Sequence, residues 1–287
     1  MLPRRLVCAE ADPTLAKHSR RQTRRDPRLP ALVWSVTGLL ALAATIPQTT
    51  RSQTISPRIQ FDAAHGEKFT IANHDKLDLS ELAKLLRAGG AEGVSANGEI
   101  NDIRLAGVSG LVLSGAFAPP TPAEIDSIVR FLSRGGRLAV MLHVPFPVAP
   151  LLNRLHVDFS NGVIHERENL VAEDPLNFRV TALTKHPLTR GLDSFSAFGV
   201  WALLNQDPNG VTIARSSDSS WVDLNGDNKF GAGDAVQSFS VAVAGELGEG
   251  RFVVFGDDAI FQNQFMSDGN VVLAKNLGCW LAKAECK

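Results

Sequence analysis

The chain has 287 residues, 44% of them hydrophobic and 21% charged, with 24 Gly and 15 Pro. Those fractions suit a folded globular protein and exclude a disordered, collagen-like or multi-span membrane chain. The net charge of −1 conceals an asymmetry, because the first 47 residues carry eight Lys/Arg against three Asp/Glu. The remainder is net acidic, which argues against nucleic acid as the main partner, since phosphate recognition needs clustered Lys/Arg.

The run ALVWSVTGLLALAATI (31–46) is uncharged and mostly apolar, and five arginines at 20, 21, 24, 25 and 28 precede it. A basic segment followed by a short apolar one predicts an export signal. A full membrane span needs about 20 apolar residues, so the alternative is a retained N-terminal anchor that is slightly short. On either reading the positive-inside rule places the body outside the cytoplasm, in the periplasm or beyond. We therefore divide the chain into a signal peptide or membrane anchor (1–47), a polar linker (48–57) and one domain (58–287), within reach of a single α/β core. Cys279 and Cys286 are free to pair in an oxidising compartment only if the last helix ends near Ala282 or Lys283. Seven residues of continuous helix rise about 10 Å, too far for a disulfide.

From residue 58 the pattern alternates strand and helix. RIQFD (58–62) reads as a strand, LDLSELAKLLRAGG (77–90) as a helix with a Gly stop, and SGLVLSGAF (109–117) as a strand buried on both faces. Thr121 caps TPAEIDSIVRFLSRGG, with Pro122 at the first helical position and Glu124 three residues after the cap. RLAVMLHV (137–144) is the next strand and PVAPLLNRL (147–155) a short helix. This order predicts a parallel sheet with right-handed crossovers. Residues 157–245 are less regular, with strands in NFRVTAL, FGVWALL, VTIARS and SFSVAVA; GRFVVFG (250–256) and the helix NVVLAKNLGCWLAK (270–283) close the domain.

Four segments together resemble the class I glutamine-amidotransferase-like superfamily: FDAAHGE (61–67), LVLSGAFAPPTPAEIDSIVRFLSRGGRLAV (111–140), HPLTRGL (186–192) and GRFVVFGDDAIFQN (250–263). The nearest branch is the prokaryotic one related to gliding-motility and intraflagellar-transport proteins, with trehalose-utilisation-like proteins further away. The resemblance implies an α/β, flavodoxin-like three-layer sandwich with a mainly parallel central sheet. It also argues against the parent chemistry. Active members hold a Cys on a tight strand-to-helix turn that lowers its pKa. The equivalent turn here reads His143-Val144-Pro145-Phe146-Pro147, and the family's later His-x-Glu corresponds to Gly256-Asp257-Asp258. Nucleophile and base are both missing.

Two sets of residues remain as candidate sites. Asp62, His65 and Glu67 follow the first strand, and Asp257 and Asp258 follow the last core strand, where doubly wound sheets bind ligands. They suit a metal or acid–base chemistry, or else a turn in which Asp62 caps backbone N–H groups. His143, His156 and His165 lack any ligand spacing and read as structural. The second set is the loop Asp223, Asn225, Asp227, Lys229 and Asp234, whose spacing matches a calcium loop, with Lys229 offering its backbone carbonyl. Asn228 replaces the usual Gly at position 6, and Asp234 is shorter than the usual Glu at position 12. The alternative is an Asx-rich hairpin loop without an ion. Trp201, Trp221 and Phe198 form either sheet core or an aromatic platform for sugar or peptide.

These features support an exported, non-catalytic binding or scaffold module that holds a protein or saccharide at the cell envelope, with structural Ca2+ as its one expected cofactor. The alternatives are a metal-assisted hydrolase of an envelope glycan or ester using Asp62, His65, Glu67 and Asp257, and an accessory subunit of a membrane transport assembly that keeps 31–46.

Overall fold

The computed structural model describes residues 56–285. The expected export segment, most of the linker and Cys286 lie outside the described residues. Among those described, no helix is long and apolar enough to cross a membrane.

The first half is the predicted alternation with one strand more, β2, which the sequence pattern does not show. Strands β1 (Arg58–Asp62), β2 (Glu92–Ala96), β3 (Val108–Ser114) and β4 (Arg137–Met141) are interleaved with helices α1 (Ser80–Ala88) and α2 (Pro122–Ser133). A turn of 3-10 helix at Phe146–Val148 leads into α3 (Ala149–Arg154). The second half is strand-rich: β5 (Val157–His165), β6 (Leu170–Val171), β7 (Asp174–Val180), β8 (Ala182–Leu183), β9 (Phe195–Phe198) and β10 (Trp201–Asn205). Then come β11 (Val211–Arg215), β12 (Trp221–Val222), β13 (Ala235–Val236), β14 (Ser240–Leu247), β15 (Gly250–Phe255) and the closing helix α4 (Asp268–Leu281).

Five strands form the parallel heart of the main sheet in the order β2-β1-β3-β4-β15. This is the flavodoxin-like order, with its switch point between β1 and β3. Beyond β15 the sheet continues antiparallel through β14, β10, β5, β12 and β13. β6, β7 and β9 make a separate small sheet.

Strand alternation builds two cores, one on each face. Ile59, Phe61, Val112, Met141 and Phe255 pack with Leu82 and Leu86 of α1 and Leu273 and Leu277 of α4. Leu111, Leu113, Leu138, Val140 and Val254 pack with Ile125, Ile128 and Leu132 of α2 and Leu151 and Leu152 of α3. The central strands are therefore apolar on both sides, as a covered parallel sheet requires. The capping box is present: Thr121 Oγ1 accepts from the Glu124 N–H at 3.3 Å, and Glu124 Oε2 accepts from the Thr121 N–H at 2.8 Å. Helix α4 ends at Leu281 with Ala282 as its cap, and Cys279 is disulfide-bonded.

Candidate functional site at the carboxyl rim

The parallel register levels the strand ends, pairing Ser114 with Met141 and Met141 with Phe255. The loops after β1, β3, β4 and β15 thus meet at one rim. The β1 loop turns at Gly66, whose φ of +77° suits glycine. The His65 carbonyl accepts from the Phe117 and Ala118 N–H groups at 2.9 and 2.7 Å, stitching the β1 loop to the β3 loop across the switch point.

His65 is the centre of this stitch. Its Nδ1 lies 2.5 Å from Asp62 Oδ2 and its Nε2 lies 3.3 Å from Glu124 Oε1. All three side chains are buried. The bond to Asp62 is the main reason the imidazole pKa is raised to about 9, with Glu124 adding and burial opposing. His65 is therefore an imidazolium at neutral pH and donates to both carboxylates. Burial works to raise the Glu124 pKa, but the Ile100 and Thr121 N–H groups, the Thr121 hydroxyl and His65 outweigh it and hold the carboxyl at about 2.

Glu67 completes the cluster. Its Oε2 accepts from the His65 N–H at 2.8 Å, while its Oε1 is buried without a partner. Burial first, and the nearby Asp62 second, push its pKa to about 7. Ligand atoms of Asp62, His65 and Glu67 lie within 4.8 Å of one another, and no other acid or His joins this group among the described residues. To take a metal, His65 must give up its proton and one of its two carboxylate partners.

Asp257 does not join it. Its two oxygens accept from the Phe198 N–H at 2.8 Å and the Ala259 N–H at 2.7 Å, inside a fully buried environment. Burial, and then Asp258, raise its pKa well above the ordinary carboxylate value. Asp258 instead pairs with His143, Oδ1 to Nδ1 at 3.2 Å, and its Oδ2 is buried without a partner. That oxygen lies under Gly115, where a Cβ would come within 2.7 Å of it. The bond to Asp258 raises the His143 pKa. The His143 ring packs against Phe69 and Phe117, with centroids 5.2 and 5.4 Å away. Its carbonyl accepts from the Trp201 indole at 3.0 Å.

His143 and Glu124 are the rim residues that sequence reasoning missed. Glu124 was legible only as a helix cap, and the His143–Asp258 pair spans 115 residues with no local signal. His143 with Asp258 is a His–carboxylate dyad, yet among the described residues no hydroxyl or thiol bonds its ring. The His165 ring stacks on Trp221 at 4.2 Å, and its Nδ1 is buried without a partner. The aromatic trio has separate ring neighbours: Trp201 meets Phe146, Trp221 meets His165 and Phe230, and Phe198 stacks on Phe265 at 3.7 Å.

The other candidate loop joins β12 to β13 and is exposed. Asp223 accepts from the N–H groups of Asn225, Gly226 and Asn228 at 3.1, 2.7 and 2.7 Å. Asn225 accepts from Asp227, Asp227 from Lys229, and Asp234 from Leu224 and Gly231. Asn228 takes a φ of +56°, the left-handed turn expected at position 6.

The fold and rim define a flavodoxin-like α/β protein. The chain belongs to the family described as Domain of unknown function (DUF4350), whose profile matches residues 73–277. Among solved structures, the mmIFT52 N-terminal domain is similar at 18% identity and a TM-score of 0.62, covering 80% of this chain and 99% of that one. A ThuA-like protein from Bacteroides uniformis is similar at 15% identity and 0.50, covering 85% and 95%. A cytoplasmic protein from Salmonella typhimurium is similar at 14% and 0.50, covering 80% and 100%. At these identities the likeness shows the fold alone. No curated protein matches the sequence.

Proposed function

We propose that this chain is a non-catalytic binding or scaffold module, exported and holding a protein or saccharide of the cell envelope at its carboxyl rim. The observation that carries this reading is how His65, Asp257 and His143 are held, even though Glu67 Oε1 and Asp258 Oδ2 beside them have no partner. His65 donates to two carboxylates, Asp257 is consumed by two backbone N–H groups, and His143 has no nucleophile beside it. What the rim offers a partner is shape and aromatic surface, with Phe117 42% and Phe146 63% exposed. Such residues serve recognition better than turnover. The test is an assay of the full chain on glutamine, on ester and on glycan substrates, with and without divalent cations. No turnover is expected. Hydrolysis that disappears in His65→Gln would overturn the proposal.

That result would instead establish a metal-assisted hydrolase, the second reading. Its support is the convergence of Asp62, His65 and Glu67 within 4.8 Å. Against it stand the two carboxylates already holding His65. The calcium proposal rests on the Asp223–Asp234 wrapping and the left-handed Asn228. Extracellular modules bind calcium at millimolar levels, so a calcium titration should raise the melting temperature, and Asp223→Ala should abolish the rise. Export is tested by the mass of the protein recovered outside the cytoplasm, which also separates a cleaved signal from a retained anchor.

A further inference from the structure

The opposite end of the same sheet carries charge in a different condition. Arg137 opens β4 and Arg251 is the second residue of β15, and the two are register partners on adjacent parallel strands. Neighbouring strands are about 4.8 Å apart, so the two guanidinium stems leave the backbone side by side. Like charges so placed repel unless an anion lies between them. Arg251 has one carboxylate, with its Nε 2.8 Å from Glu246 Oε1. Arg137 has none: its Nη1 is buried without a hydrogen-bond partner, and its guanidinium lies 5.1 Å from the centre of the Trp280 ring.

Trp280, on α4, supplies an independent sign. It is 94% buried by its 6% exposure, and its indole N–H also has no partner. Two buried donors, one cationic, thus stand unanswered at one spot. Buried N–H groups are rarely left so, because each forfeits the free energy of a hydrogen bond. Arg137, Arg251 and Trp280 line one cavity of about 220 Å³, joined among the described residues by Arg190 and Lys283 and by one acid, Glu285. His186 borders the adjoining cavity; burial, then Arg251 and Arg137, push its pKa down to about 4. Burial is the larger cause, and the two arginines add to it from the same side.

We propose that this cavity at the amino-terminal edge of β4 and β15 is an oxyanion site that takes a phosphate group, held by Arg137, Arg251 and the Trp280 indole. A phosphate accepts the forked donors of two arginines and the single indole N–H together. The site is distinct from the carboxyl rim and does not depend on the function proposed there.

The experiment is titration of the full chain with inorganic phosphate, followed by calorimetry and melting temperature, against chloride at matched ionic strength. Saturable binding and a rise in melting temperature that grows with the logarithm of phosphate are expected. Arg137→Gln should weaken binding about tenfold or more, since it removes a charge-assisted donor. Arg251→Gln, at a half-exposed position, should weaken it comparably while leaving circular dichroism unchanged, and Trp280→Phe should weaken it severalfold. A parallel titration with glycerol phosphate separates two sources: tighter binding assigns the site to a phosphorylated small molecule, and equal or weaker binding to free phosphate. No saturable binding of either, or affinity unchanged in both Arg251→Gln and Trp280→Phe, overturns the proposal.

Discussion

The two ends of the parallel strands handle charge in opposite ways. At the carboxyl rim, a cation is enclosed by acids: His65 sits between Asp62 and Glu124, and backbone N–H groups take up the oxygens left over. At the amino edge, Arg137 and Arg251 stand in register, and the one carboxylate paired there, the exposed Glu246, holds Arg251 from the β14 side. At the rim His65 is answered from within by two buried carboxylates, so that pairing is architecture, although Glu67 Oε1 and Asp258 Oδ2 stay without partners there. The edge is open, so its charge awaits something from outside. Position in a doubly wound sheet draws attention to the rim, but electrostatic satisfaction separates a finished cluster from an unfinished one.

The comparison breaks most sharply at His65. His65→Leu leaves Asp62 and Glu124 buried without their cation, and we expect a loss of about 3–5 kcal/mol in urea or guanidinium unfolding. Next comes Gly115→Ala. It puts a side chain at a φ of +62° and within 2.7 Å of Asp258 Oδ2, and should cost about 1–3 kcal/mol by the same measurement. A loss below 0.5 kcal/mol would show that the β3 loop yields more freely than its contacts indicate.

pH sharpens the contrast. Glu67 is raised from 4.5 to about 7, so its share of stability is full below pH 4.5 and fades as pH rises through 7. His65 is raised from 6.5 to about 9, so its share is full below pH 6.5 and fades as pH rises through 9. Melting temperature should therefore decline from mildly acid to alkaline pH, and Glu67→Gln should flatten the lower part of that slope only. Glu124 works in reverse. Lowered from 4.5 to about 2, it stabilises above pH 4.5, and that stability is lost as pH falls through 2. The smallest effect belongs to the open edge. Arg251→Gln gives up one half-exposed ion pair and relieves a repulsion, so stability should move by less than about 1 kcal/mol.

Much of this fold is readable in the chain. The continuous apolar runs that became β3, β4 and β15 are buried on both faces, and the Thr121–Glu124 box marks the start of α2 without ambiguity. β2, β5 and β9 are not readable. Glu92–Ala96 is a half-exposed edge strand, and Val157–His165 mixes Asp, Ser, Asn and Gly, so neither shows a clean period. The site was partly legible for the same reason. Asp62, His65 and Glu67 share one loop, so spacing alone brings them together. Glu124 reaches His65, His143 reaches Asp258, and Arg137 comes beside Arg251 and Trp280 only through strand register and layer packing, which a single sequence does not display.

The ion cluster also decides how the rim can behave. Because His65 bonds to the end of β1 and to the first turn of α2, and its carbonyl to the β3 loop, three segments of the chain are fastened at one residue. Whatever docks above it meets a contour cast before the encounter, with little loop entropy left to surrender. Recognition there would be lock-and-key, and its selectivity would come from fit.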